Sequence, residues 1–121
     1  MVVEKIHFLY NSIMEMQKAK RKRRQDTKHA VYCITNTVTK QQYIGITVCG
    51  SQVRKALKIR IQKHIRRALT ENKDWALCKS IRKHGAEVHT YGLMEIVRGR
   101  KPAHIREREL IAKLKPALNT H

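Results

Sequence analysis

Arg60 and His64 stand four residues apart in a stretch with helical periodicity, so both side chains leave one helix face toward one place. The arginine guanidinium is a planar fork that suits phosphate oxygens. Glu107, near the C-terminus, offers a hard carboxylate oxygen of the kind that Mg²⁺ or Mn²⁺ takes. Tyr32 and Tyr43, eleven positions apart, lie on two segments of strand character. Phosphodiester hydrolysis needs a nucleophilic water, a base, and cations for the charge that builds on the phosphoryl oxygens. A histidine, an arginine and a metal-holding glutamate are groups of that kind.

Taken one at a time, each residue also has an ordinary role. The tyrosines suit strand packing, and Arg60 lies in a very basic helix where a solvated charge is unremarked. A lone helical histidine is more often at the surface than in a site. Glu107 is one of nine acidic residues, and a helical glutamate usually pairs with a nearby base. Glu109 is its rival as a metal ligand.

The charge balance narrows the partner. Lys and Arg number 27 against 9 Asp and Glu, a formal net charge of +18 on 121 residues. A domain this basic repels itself unless a polyanion neutralises it, and nucleic acid is the usual polyanion. The cations run through the whole chain, which favours DNA over an anionic membrane surface. No apolar run approaches the roughly 20 residues of a membrane span, and no signal-peptide pattern opens the chain. A cytoplasmic protein without a membrane partner is expected. Cys33, Cys49 and Cys78 form no CxxC pair, and their odd number argues for reduced thiols, at least two of them in the core.

The elements that must position these groups follow from periodicity. Residues 4–24 read as an amphipathic helix with Ile6, Leu9, Ile13 and Met16 on one stripe. It leads into the cations Lys18, Lys20, Arg21, Lys22, Arg23 and Arg24, a clamp for DNA phosphates or a solvated basic tail. The apolar stripe suggests docking on the domain or on a second copy, giving a homodimer. Residues 1–28 are therefore set apart as an extension from a domain at 29–121. Residues 30–35 (AVYCIT) read as a strand buried on both faces, 36–42 as a turn, and 43–47 (YIGIT) as a second strand, so the two form a hairpin. Ser51 is placed to cap a helix over 52–69 whose apolar residues Val53, Leu57, Ile61, Ile65 and Leu69 fall four apart. Asp74 is placed to cap a helix over 75–84 that ends at Gly85. A third strand follows over 88–97, then a turn at Gly99. The last helix has Pro102 at its first position, carries Ile105, Leu110, Ile111 and Leu114, and is stopped by Pro116.

The order ββααβα, with one tyrosine on each of the first two strands, resembles the GIY-YIG nuclease domain over about residues 29–119. Tyr43-Ile44-Gly45 matches the second triplet, and Ala30-Val31-Tyr32 stands where the first would be, without its glycine. Arg60 and His64 match the family's R-x-x-x-H. Glu107, Leu110, Ile111, Pro116 and Asn119 match its E-x-x-L-I and P-x-x-N segment. The resemblance implies an α/β fold (more strictly α+β), with a small, mainly antiparallel three-stranded sheet flanked by helices. It also implies a divalent-metal-dependent DNA endonuclease using Mg²⁺ or Mn²⁺ on Glu107. Tyr32 would be the general base, with Tyr43, Arg60 and His64 completing the catalytic set and Gly45 and Asn119 orienting it. A free tyrosine titrates near 10, so Tyr32 would need its pKa lowered by the metal or by cations. A free-standing homing-like or phage-type enzyme is the leading expectation, a restriction-type enzyme the next. A non-catalytic nucleic-acid-binding module on the same scaffold is the alternative of another class. The stretch at 48–57 is expected to be an added recognition loop.

Overall fold

The computed structural model describes residues 27–119. The basic extension expected over 4–24, with Lys18, Lys20, Arg21, Lys22, Arg23 and Arg24, lies outside the described residues. A three-stranded antiparallel sheet is built from β1 (Lys28–Asn36), β2 (Gln42–Val48) and β3 (His89–Arg98) in the order β2-β1-β3. Its helices are α1 (Val53–Thr70), α2 (Ala76–His84) and α3 (Arg100–Leu114), so the fold is α+β, as expected.

The central place of β1 explains its composition. A strand paired on both edges and covered on both faces must be apolar on both faces. Ala30, Tyr32 and Ile34 point to α1 and α2, where they meet Leu57, Ile61, Ala68, Leu77, Cys78, Ile81 and Leu118. Val31, on the other face, packs with Ile44 and with Leu110 of α3. Strand β3 is an edge and stays largely exposed, with Tyr91, Leu93, Met94 and Ile96 partly in solvent.

Helix α1 shows where four-residue spacing fails. A step of four advances an ideal helix by about 40° beyond a full turn, so a run of such steps drifts off the buried face. Leu69 ends that run and is exposed, while His64 and Ala68 are buried in the stripe with Leu57 and Ile61. The expected caps are absent. Gln52 and Trp75 stand at the N-terminal ends of α1 and α2 with no side-chain cap, and Asp74 instead pairs with Lys79 at 2.9 Å. Pro102 is the third residue of α3, still in the first turn where its missing N–H is no loss. Gly85 ends α2 with a positive φ of 93°. Only 49–52 separate β2 from α1, so 53–57 is the first turn of a helix rather than part of a recognition loop. The cysteines are free, with Cys49 and Cys78 buried.

Two polar ties close the frame. Buried Asn36 donates to Ser80 Oγ at 2.8 Å, Ser80 Oγ is 2.8 Å from His89 Nε2, and His89 Nδ1 meets Gly85 O at 2.7 Å. This chain joins the β-hairpin to α2 and β3. At the C-terminus, Asn119 Oδ1 accepts from the Ile44 N–H and its Nδ2 donates to Ile44 O, both at 2.7 Å. The side-chain amide thus pairs with the open edge of β2 as a neighbouring strand would, between Tyr43 and Gly45.

Asn119→Ala should lower unfolding free energy by about 1–3 kcal/mol, because two hydrogen bonds to a partly buried peptide are lost together. Urea denaturation of both proteins measures this. Asn119→Asp keeps the acceptor but has no N–H for Ile44 O, and should also be less stable than wild type.

Candidate active site

Tyr32 is fully buried, and its phenol crosses beneath the neighbouring strand. Gly45 is its cross-strand partner. A Cβ at Gly45 would lie 2.6 Å from Tyr32 Oη and 2.9 Å from Tyr43 Cε1, so the two rings occupy the space any side chain would need. Gly45 is required here for room rather than for an unusual backbone angle, and in this sense it orients the site.

Helix α1 brings the next two groups. Arg60 and His64 are one turn apart on the face that also buries Leu57 and Ile61. Arg60 Nε donates to Tyr32 Oη at 3.3 Å, and Tyr32 Oη lies 2.8 Å from His64 Nε2. Arginine can only donate, so a neutral His64 is the acceptor that the buried Tyr32 O–H requires. His64 is in fact held neutral: burial first, then the charges of Arg60 and Arg67, lower its pKa from 6.5 to about 4. Tyr43 packs its ring edge on His64, with centroids 5.2 Å apart, and its ring centroid is 6.3 Å from that of Tyr32. Tyr43 also acts on Tyr32 electrostatically.

Burial, followed by the neighbouring Tyr43, pushes the Tyr32 phenol well above its ordinary value, outweighing Arg60. Burial raises Tyr43 as well. Tyr32 is thus a phenol enclosed in the core and hydrogen-bonded to Arg60 and His64. Tyr43 and His64, unlike Tyr32, line the adjacent cleft.

Glu107 arrives from α3, whose apolar contacts are on the opposite face of the sheet. It makes no hydrogen bond to the four groups above, but it is within electrostatic reach of Arg60 and Tyr43. Its side chain is 21% exposed, its Oε1 lies 3.7 Å from His104 Nδ1, and burial raises its pKa. Glu109 is different: it is exposed and paired with Arg106, which also binds Glu95 at 2.6 Å. Among the described residues, no three His, Cys, Asp or Glu side chains gather into a metal-binding set. One half-buried carboxylate still fits Mg²⁺ or Mn²⁺, since such ions keep several waters and take further oxygens from a substrate phosphate.

A cleft of about 240 Å³ opens beside this group, lined by Tyr43, Arg60, His64, Arg67, Trp75, Leu77, Cys78 and Leu118. Arg67 and Trp75 are functional candidates that sequence reasoning passed over. Arg67 continues the α1 face of Arg60 and His64 by a further turn, and Trp75 is the chain's one tryptophan, so both were open to notice. Outside the cleft lining, Arg54, Lys55, Lys58, Lys63 and Arg66 give α1 an exposed basic surface. No protein-family model matches the sequence, and neither a curated protein nor a solved structure matches it.

The buried neutral His64 has a consequence for stability. Its folded pKa lies below its unfolded one, so its contribution is complete above pH 6.5 and is lost as pH falls through about 4. The loss across that window should be roughly 3 kcal/mol at most. His64→Gln, with no proton to gain, should flatten the curve. Urea midpoints between pH 7 and about 4 test this, and equal slopes for the two proteins would refute a buried neutral imidazole.

Proposed function

We propose that the protein is a divalent-metal-dependent DNA endonuclease of the GIY-YIG type. The observation that carries this is the convergence on Tyr32 Oη: Arg60 and His64 from one helix, with Tyr43 and Gly45 from the neighbouring strand. These are the residues that the family resemblance singles out, drawn from separate stretches of chain. The exposed cations of α1 supply the charge that a DNA backbone takes up.

Each group has a task in that reaction. The Arg60 guanidinium lines the cleft while its Nε holds Tyr32, so it meets a scissile phosphate in a fixed orientation. Glu107 would hold one Mg²⁺ or Mn²⁺. The ion, when bound, supplies a Lewis acid for the charge that develops on the phosphoryl oxygens. The protonated phenols need never ionise if the proton is relayed. The attacking water gives its proton to Tyr43 Oη as Tyr43 passes its own to Tyr32 Oη, and Tyr32 passes its own to His64 Nε2. The resulting hydroxide oxygen bonds to phosphorus, and the ester oxygen leaves with the electron pair of the broken P–O bond and is protonated by solvent. His64 ends the step as imidazolium, and its low pKa drives it to give that proton up again to solvent. Within the family that the sequence resembles, a homing-like or phage-type role is the one we propose.

Nicking of supercoiled plasmid in Mg²⁺ or Mn²⁺ tests the proposal. Glu107→Ala should reduce nicking on the order of 100-fold or more, with melting temperature and DNA affinity nearly unchanged. Glu109→Ala should nick as wild type does. Loss of nicking in Glu109→Ala with normal nicking in Glu107→Ala would move the metal site to the wrong side of α3. A wild-type protein that binds plasmid yet nicks it in neither ion would be a non-catalytic binding module.

A further inference from the structure

The cleft beside the tyrosines is built for more than a phosphate. Its volume of about 240 Å³ is several times the roughly 30 Å³ share of a liquid water, and half of its lining residues, Trp75, Leu77, Cys78 and Leu118, are apolar. An apolar wall gives a phosphate nothing. The other residues are cationic or polar, and Arg60, His64 and Arg67 come from successive turns of one face of α1.

Trp75 has a particular setting. The Arg67 guanidinium lies over its ring at 5.2 Å from the centroid, and Lys73 Nζ is 5.6 Å from the same centroid. Arg67 Nε also pairs with Glu71 at 3.2 Å. An indole with a guanidinium over it is an aromatic, cationic wall, and nucleobases stack on both kinds of group. The segment that carries Trp75 is tied down. Arg82 donates through one terminal nitrogen to Ala68 O at 3.0 Å and through the other to Lys73 O at 2.7 Å, which joins α2 to the end of α1 and to the turn before Trp75. The wall is thus in place before any ligand arrives.

We propose that this cleft receives a single nucleobase, from a nucleotide unpaired in or extruded from the DNA, and stacks it against the Trp75–Arg67 wall with the flanking phosphates on Arg60 and Arg67. The inference rests on the nuclease reading and adds to it a substrate subsite. The cleft is too small for a base pair, so a nucleotide bound here has left its stack. A base held beside Tyr43 and Arg60 places the adjoining phosphate at the reacting groups. Cleavage then favours DNA in which a base is easily extruded, such as a mismatch, a bulge or a single strand.

Because Trp75 is the one tryptophan in the chain, its fluorescence reports the subsite directly. The probes are a single-stranded oligodeoxynucleotide and an oligomer of the same length made of abasic residues, compared at one salt concentration without divalent ions. Both carry the same charge, and only one has bases. The base-bearing strand should quench Trp75 and bind roughly 5- to 100-fold more tightly than the abasic one. Trp75→Leu should abolish that difference in affinity, and Trp75→Phe should restore part of it. Equal affinity and equal quenching by the two strands would overturn the proposal, whether or not the variants fold. Plasmid nicking separates the two claims. Nicking without base preference sinks the subsite and leaves the nuclease, whereas base preference without nicking leaves the subsite and sinks the nuclease.

Discussion

A phenol buried under a glycine sets the arrangement of the rest. Tyr32 has no access to solvent, so its hydroxyl must find partners inside the protein, and the partners it finds are Arg60 and His64. Reaching them requires that the strand beside it carry no side chain at position 45. It also requires α1 to lie with its Arg60–His64 face against the sheet. Among the described residues, no buried side-chain nitrogen or oxygen is left without a hydrogen-bond partner. The demand of one hydroxyl thus couples a strand register, a helix orientation and a histidine protonation state.

That coupling explains why His64 belongs to the core and to the site at once. A histidine on an apolar stripe with Leu57, Ile61 and Ala68 loses water and gains the repulsion of Arg60 and Arg67, and both effects keep it neutral. The neutral ring accepts the Tyr32 proton, which satisfies the phenol. In the proposed reaction the same ring nitrogen is the end of the proton path. Taking up a proton would cost this ring stability, because burial and both arginines disfavour its charged form.

Much of this was legible in the sequence, and the parts that were not share a physical cause. Residues 30–35 announced a strand buried on both faces because a central strand has no polar side, and β1 is that strand. The four-residue spacing of Arg60 and His64 fixed a common face without knowledge of the sheet. Leu69 was placed wrongly because spacing of four drifts around a helix, and Ser51 and Asp74 because a capping residue type does not ensure a capping geometry. The raised pKa of Tyr32 was not legible for a different reason. A sequence shows which charges are near but not how much water is removed, and here burial outweighs the arginine. Trp75 and Arg67 meet across the turn between α1 and α2, a contact that no periodicity within one element reveals.

If Tyr32 and His64 act as parts of one proton path, removing either should disable what removing both disables. The decisive measurement is a double-mutant cycle on single-turnover DNA nicking with Tyr32→Phe, His64→Gln and the double variant, each checked for folding by its melting transition. The account predicts that the double variant is about as slow as the slower single variant. Losses that multiply, so that each substitution costs the same in the presence of the other, would show two independent residues and contradict it.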